Sequence, residues 1–266
     1  MGRKGEKNMK KVLKLMLALV MTCAVAGCSS SSKNDADVTI TIGTSPDYAP
    51  YESLNKKGEI VGFDVDMAKL FEGYLSDMEG KTYSLEFKQM DFDNIVTQIQ
   101  GDQIDLGISG FTYSEDRVVE WSDPYLGTQQ VAVVTKGSAI TSNDQFEDQL
   151  VGKKLAAQTG ATGEQAAKEV ENADVVSMKN VQDIFNGLAS NQYDAAIVDL
   201  GVAKQYVSGG NFTQLDGSLM DEKNYVIAKK GNTKMIKLMN KCIKKFLASK
   251  DYDKLCKKYD LSPLEK

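Results

Sequence analysis

The chain has 266 residues, with 32 Lys and Arg against 37 Asp and Glu, a net charge of −5, and no histidine. An acidic balance argues against nucleic acid as a partner, because binding phosphate needs the opposite sign. The missing imidazole removes the usual neutral-pH general base, the commonest metal ligand and the simplest pH switch, so neither a cofactor nor a metal is expected.

From Met9 the chain reads Met-Lys-Lys. An apolar run follows from Val12 to Ala26, interrupted by Lys14 and Thr22, and the segment closes on Val25-Ala26-Gly27-Cys28. A short positive stretch, an apolar stretch too short for a convincing membrane span and small residues set against a cysteine resemble a bacterial lipoprotein signal. That resemblance implies cleavage ahead of Cys28 and lipid on that cysteine, leaving the protein anchored on the extracytoplasmic face of the cell membrane. An ordinary signal peptide or an uncleaved anchor is the alternative. Residues 28–37, with four serines after Cys28, are polar and aperiodic and read as a flexible tether. Residues 1–27 take six Lys or Arg and one Glu with them, which leaves 26 basic against 36 acidic residues, a net charge of −10.

The rest of the chain is long enough for one large domain or two small ones. Val38 to Ile42 alternates apolar and polar residues as a strand, and the turn-forming run Gly43 to Pro50 ends it. Asp64 is a natural N-cap for a helix carrying Val65, Ala68, Leu70, Phe71 and Leu75 on or near one face. Tyr83, Leu85 and Phe87 alternate as a second strand, Phe92, Ile95, Val96 and Ile99 take helical spacing, and Ile104 to Ile108 is apolar enough for a third strand. Strand alternating with helix points to an α/β fold with mainly parallel sheets. The Asp64/Asp66 and Asp91/Asp93 pairs read as caps at helix starts rather than metal ligands or an acid/base couple.

A second stretch replays the first. Ile95, Ile99, Gln103, Asp105 and Ile108 have counterparts in Ile184, Leu188, Gln192, Asp194 and Ile197, each 89 positions on, and the same offset carries Gly110 onto Asp199. Ligands of open α/β sheets lie beyond the carboxyl ends of strands, so two opposed lobes would turn Gly110 and Asp199 toward one space. Arg117 is the only arginine beyond the first few residues; lysines supply the other positive charge. An arginine in a charged turn is ordinarily solvated. Its rigid five-donor fork is nevertheless the group that holds a planar carboxylate or phosphate by two parallel hydrogen bonds. The run from Asp105 to Arg117 reads as a strand, a small-residue turn and the start of a helix. Near the C-terminus, Lys234 to Lys258 carries Ile236, Met239, Ile243, Phe246 and Leu247 opposite its lysines, as a surface helix pair does. Cys242 and Cys256 fit a disulfide between those helices equally with two small buried residues.

Val38 through Lys266 resembles the solute-binding proteins of polar amino-acid ABC importers. The motifs that carry the resemblance are Pro50-Tyr51-Glu52, Gly62-Phe63-Asp64-Val-Asp66-Met-Ala68-Lys69, Ser109-Gly110-Phe111-Thr112 with Arg117, Trp121-Ser122-Asp123-Pro124-Tyr125, Gln158-Thr-Gly160-Ala-Thr162, and Asp194-Ala-Ala followed by Asp199. The resemblance implies a two-lobed type II fold, with residues 38–128 and 229–266 as lobe one and 129–228, including the crossing strands, as lobe two. It further implies a monomer that closes on a polar amino acid, hands it to a membrane permease and catalyses nothing. By position in these motifs, Arg117, Thr112 and the loop at Thr162 should take the ligand carboxylate. Asp199, the Gly110 carbonyl and the Thr112 hydroxyl should take the ammonium, with Ser109 in the same loop. Tyr48 and Phe92 match positions whose rings sandwich the ligand side chain, whereas Tyr51 reads as core. Ser45 stands where several relatives place an aspartate, which weakens the case for a cationic ligand, and Gln158 reaches the ligand's far end, favouring a neutral polar side chain such as glutamine or cystine. An enzyme on this scaffold and a sensory module are the alternatives.

Overall fold

A computed structural model describes residues 36–143 and 145–264; the signal-like segment, Cys28 and all but the last two tether residues lie outside it. The first half starts with β1 (Val38–Thr44), followed by the short antiparallel β2 (Asp47–Tyr48), β3 (Glu52–Leu54) and β4 (Ile60–Val61). Helix α1 (Phe63–Glu79), β5 (Tyr83–Gln89), α2 (Phe92–Gln100) and β6 (Leu106–Gly107) complete it. A 17-residue strand, β7 (Val119–Thr135), leads into the second half. There β8 (Lys154–Gln158), α3 (Thr162–Glu169), β9 (Asp174–Met178), α4 (Val181–Ala189), β10 (Ala195–Asp199), α5 (Leu200–Val207) and β11 (Phe212–Gln214) follow one another. The return strand β12 (Met220–Lys229) then gives way to α6 (Thr233–Leu247) and α7 (Lys250–Tyr259).

The strand order β5-β1-β6-β12-β7-β10-β8-β9, with β11 beside β7, explains the two-lobed type II fold. Each lobe has its own parallel trio, with β1 between β5 and β6 in one and β8 between β9 and β10 in the other. Between the trios run β7 and β12, antiparallel to each other and to their neighbours. The sheet is therefore mixed, because the two crossing strands add antiparallel pairs to the parallel units. Period-2 patterning places Ile40 and Ile42 of β1 in the core, and helical spacing does the same for Ile95, Ile99, Ile184 and Leu188.

The repeat read from the sequence extends to backbone detail. Helices α2 and α4 begin and end 89 residues apart. Each is followed by a left-handed residue, Asp102 at φ 55° and Asn191 at φ 53°. Gln103 N donates to Gln98 O and Gln192 N to Gly187 O, both at 2.9 Å. Asp105 Oδ2 then accepts from Thr41 N at 2.7 Å, and Asp194 Oδ2 from Lys154 N at 2.8 Å, so each aspartate fastens its loop to the neighbouring strand.

Two local expectations change and one open alternative is decided. No helix starts at Arg117; a turn closes by Arg117 N donating to Ser114 O at 3.2 Å and opens into β7, where Val119 pairs with Lys229 of β12. Tertiary pairing of a β-branched segment overrides the polar, helix-like start. Asp64 is no cap either, since α1 is preceded by Gly62 at φ 147° and Asp64 lies fully buried in the first turn. Cys242 and Cys256 are free, buried thiols beside the core formed by Phe246 and Tyr252 of α6 and α7.

Candidate functional site

The carboxyl ends of β6, β8 and β10 converge where the lobes meet. Seven of the expected residues line one cavity there: Tyr48, Phe92, Ser109, Gly110 and Thr112 from the first lobe, and Gln158 and Thr162 from the second. Gln130 of β7 and Ala161 complete the wall. Both lobes contribute to the wall, so the site is complete only where they meet.

Arg117 lies against that wall. Its guanidinium packs 5.5 Å from the Phe92 ring centroid and 5.3 Å from that of Phe111. Nη1 donates to Thr112 O, and Nη2 reaches across the cleft to Gly160 O at 2.7 Å. Of five N–H donors, two are engaged and the others remain for an anion. Burial pulls its pKa down to about 10, opposed by Glu222, so the side chain stays charged at neutral pH. Among the described residues it forms no salt bridge.

The opposite charge is withdrawn further from water than the half-buried Arg117. Asp199 caps α5 by accepting from Gly201 N at 2.8 Å, and it is 1% exposed. Oδ1 also accepts from Tyr51 Oη at 2.8 Å and Oδ2 from Thr128 Oγ1 at 2.6 Å. Three donors leave about one lone-pair position of the carboxylate free. Burial pushes its pKa up to about 6 even though those hydrogen bonds favour the ionised form. Among the described residues it too lacks a cationic partner within salt-bridge distance. A buried charge without a counter-ion is costly, and here one of each sign is kept.

The loop between them is held from below. Gly110, at φ +56°, donates its N–H to Asp64 Oδ2 at 2.9 Å, and Asp64 Oδ1 accepts from Tyr125 Oη at 2.9 Å. Ser109 Oγ donates to Glu52 Oε1 at 2.7 Å and accepts from Ser45 N at 3.0 Å, so its hydroxyl shapes the loop instead of facing the cavity. Desolvation holds Glu52 well above the usual carboxylate range, helped by neighbouring Asp64. The Gly110 carbonyl accepts from Asn224 Nδ2 at 2.9 Å, the Thr112 and Thr162 hydroxyls meet at 2.7 Å, and Thr162 Oγ1 donates to Glu222 Oε2 at 2.9 Å.

Several of these residues escaped the sequence reading. Tyr51 is fully buried, as expected of a core residue, yet its hydroxyl crosses to Asp199. Glu222 sits in the run Asp221-Glu222-Lys223, which reads as solvated, but β12 pairing turns it inward, where burial raises its pKa. Asp47 neighbours Tyr48 in a turn-like stretch, and nothing local marks it as reaching the other lobe. Its carboxylate accepts from Ser45 Oγ at 2.7 Å, Val181 N at 2.8 Å and Gln158 Nε2 at 3.3 Å.

Residues 40–262 match the family described as bacterial extracellular solute-binding proteins, family 3. Over nearly its whole length the chain is similar to a probable histidine-binding protein of Neisseria gonorrhoeae, at 28% identity covering 95% of this chain and 96% of that one. It is 31% identical to the arginine-binding extracellular protein ArtP of Bacillus subtilis, covering 94% and 98%. The ABC transporter glutamine-binding protein GlnH of the same organism is 29% identical, with 94% and 97% covered. Among solved structures, the substrate binding protein of an amino acid ABC transporter superposes with a TM-score of 0.75 at 33% identity, covering 83% of this chain and 98% of that one. An ancestral amino acid-binding protein described as a precursor of cyclohexadienyl dehydratase superposes at 0.73 with 31% identity, covering 83% and 95%.

Proposed function

Because the chain belongs to the bacterial extracellular solute-binding proteins, family 3, we propose that it is the receptor of an amino-acid ABC importer, binding a free polar amino acid between its lobes and passing it to the permease. The observation that carries this reading is a pair of charges without a salt-bridge partner among the described residues, set just behind the cavity wall: Arg117 against the lining residues Phe92 and Thr112, and buried Asp199 on Tyr51 and Thr128. A zwitterion brings one charge of each sign, and each end needs a partner before it can leave water. Arg117 takes the carboxylate with its remaining donors, assisted by backbone N–H groups in the loop that begins at Thr162. Asp199 takes the ammonium on its free lone pair, and the Gly110 carbonyl, with one lone pair beyond its Asn224 bond, assists.

Charge-assisted hydrogen bonds contribute roughly 1.5–3 kcal/mol each, so four or five of them, less the costs of association, are consistent with micromolar affinity near −8 kcal/mol. Tyr48 and Phe92 flank the ligand side chain. The curated relatives named above are described as binding proteins, not enzymes. In this site Arg117 and Asp199 are both occupied in holding the two ends of the zwitterion. Lipid at Cys28 keeps the receptor, a monomer, tethered at the extracytoplasmic membrane face beside its permease.

A thermal-shift screen of the twenty amino acids with cystine and ornithine tests the reading, because a ligand bound only by the native state raises the melting temperature. At least one amino acid should give a shift that grows with concentration. No shift from any of them contradicts the proposal.

A further inference from the structure

We infer that Asp47, acting through Gln158, makes the side-chain end of the cavity a hydrogen-bond acceptor, so that the ligand must end in an N–H donor and acidic amino acids are refused. The inference rests on the amino-acid reading above. Gln158 closes β8, is 3% exposed and lines the cavity. Its Nε2 donates to Asp47 Oδ2 at 3.3 Å and to Lys179 O at 3.1 Å.

A backbone carbonyl only accepts. Asp47 also behaves as an acceptor, receiving Ser45 Oγ on one oxygen and Val181 N on the other while standing at the N-terminal end of α4. Rotating the Gln158 amide by half a turn would set its oxygen against two oxygens, so the network fixes which end faces which way. Both amide hydrogens are thereby spent. The free end of Gln158 is Oε1, which no donor among the described residues reaches.

Ser45 does not compensate, because its hydroxyl hydrogen is directed to Asp47. A ligand side chain reaching this end meets an acceptor oxygen with a negative charge behind it. An amide, ammonium, guanidinium or imidazole N–H satisfies that oxygen. The carboxylate of glutamate, nearly the same shape as glutamine, faces like charge and leaves the oxygen unpaired, which is how a site rejects by repulsion as well as by a missing contact. Asp47 is a positioning residue in this scheme.

The test is calorimetric titration of the full chain with glutamine, glutamate, arginine, lysine and histidine. At least one donor-bearing amino acid should bind, with glutamate about a hundredfold weaker or more. Glutamate binding as tightly as the best of them overturns the inference and leaves the amino-acid reading standing; no binding by any amino acid overturns both. In Asp47→Asn the preference over glutamate should shrink at least tenfold, whereas Arg117→Lys should weaken every amino acid alike. Equal loss across ligands in Asp47→Asn would reduce Asp47 to a structural role and overturn the assignment. Should that variant fail to fold, Gln158→Leu gives a second reading, since it removes the acceptor and should erase the same preference; retention of the preference there counts against the inference.

Discussion

The unit α2–β6 of the first lobe and the unit α4–β10 of the second share one backbone plan, down to the left-handed residue after each helix and the aspartate that fastens each loop. They diverge at the strand end. The first leads into Gly110, whose N–H goes to buried Asp64 and whose carbonyl faces Asn224; the second terminates in Asp199, a buried carboxylate that caps the next helix and meets Tyr51 of the other lobe. The duplicated scaffold therefore fixes where chemistry is presented, and single residues at equivalent positions decide its sign. On the first lobe's side a positive charge is brought by Arg117, seven residues beyond Gly110 on the turn into β7.

Breaking the asymmetry on the Asp199 side should have the largest effect. Asp199→Asn keeps a good helix cap but sets an uncharged amide against the ligand ammonium, and calorimetry should show affinity reduced about a hundredfold with little change in melting temperature. On the other side, Arg117→Lys preserves charge but loses the two-pronged donor geometry, and affinity should fall at least tenfold.

Acid offers a milder way to weaken the same comparison. Burial raises Asp199 to about 6, and ammonium binding requires its ionised form, so the dissociation constant should rise toward tenfold per unit as pH falls below about 6. Arg117, at about 10, stays charged throughout that range and adds nothing to it.

The support beneath Gly110 predicts a smaller effect of the opposite pH sense. Desolvation raises Glu52 well above its ordinary 4.5, so in the native state it keeps a proton that the unfolded chain releases as pH climbs past 4.5. Its contribution is then complete at acid pH and declines as pH rises toward the native value. Glu52→Gln should remove that decline, raising the melting temperature by a few degrees at pH 8 and hardly at all at pH 4.5. Smallest of all, Gly110→Ala should cost about 1 kcal/mol in denaturant unfolding because of the positive φ, since an added Cβ would meet the Tyr48 and Tyr51 rings at ordinary contact distances of 3.4–3.6 Å.

What was legible in the chain follows the same division. Periodicity and the repeated Gln and Asp spacing disclosed the two α/β units, because those signals are local and survive in any tertiary setting. The motif around Ser109 to Arg117 marked a stretch that reaches the cavity wall, although its local polarity suggested a helix where β12 imposes a strand. Asp47, Asp64 and Glu222 were not legible as site residues. Each belongs to a stretch that alone reads as turn, cap or solvated surface, and only contacts spanning 46 to 134 positions bring Asp64 under Gly110 and Asp47 to Val181.

The account turns on whether both charged ends of one small molecule are gripped at once. For whichever amino acid gives the largest thermal shift, calorimetric titration should compare it with its own C-terminal amide and its N-acetyl derivative. Binding near micromolar for the free amino acid, with each blocked derivative weaker by about a hundredfold or more, is the predicted result. A blocked derivative that binds as well as the free zwitterion would contradict it.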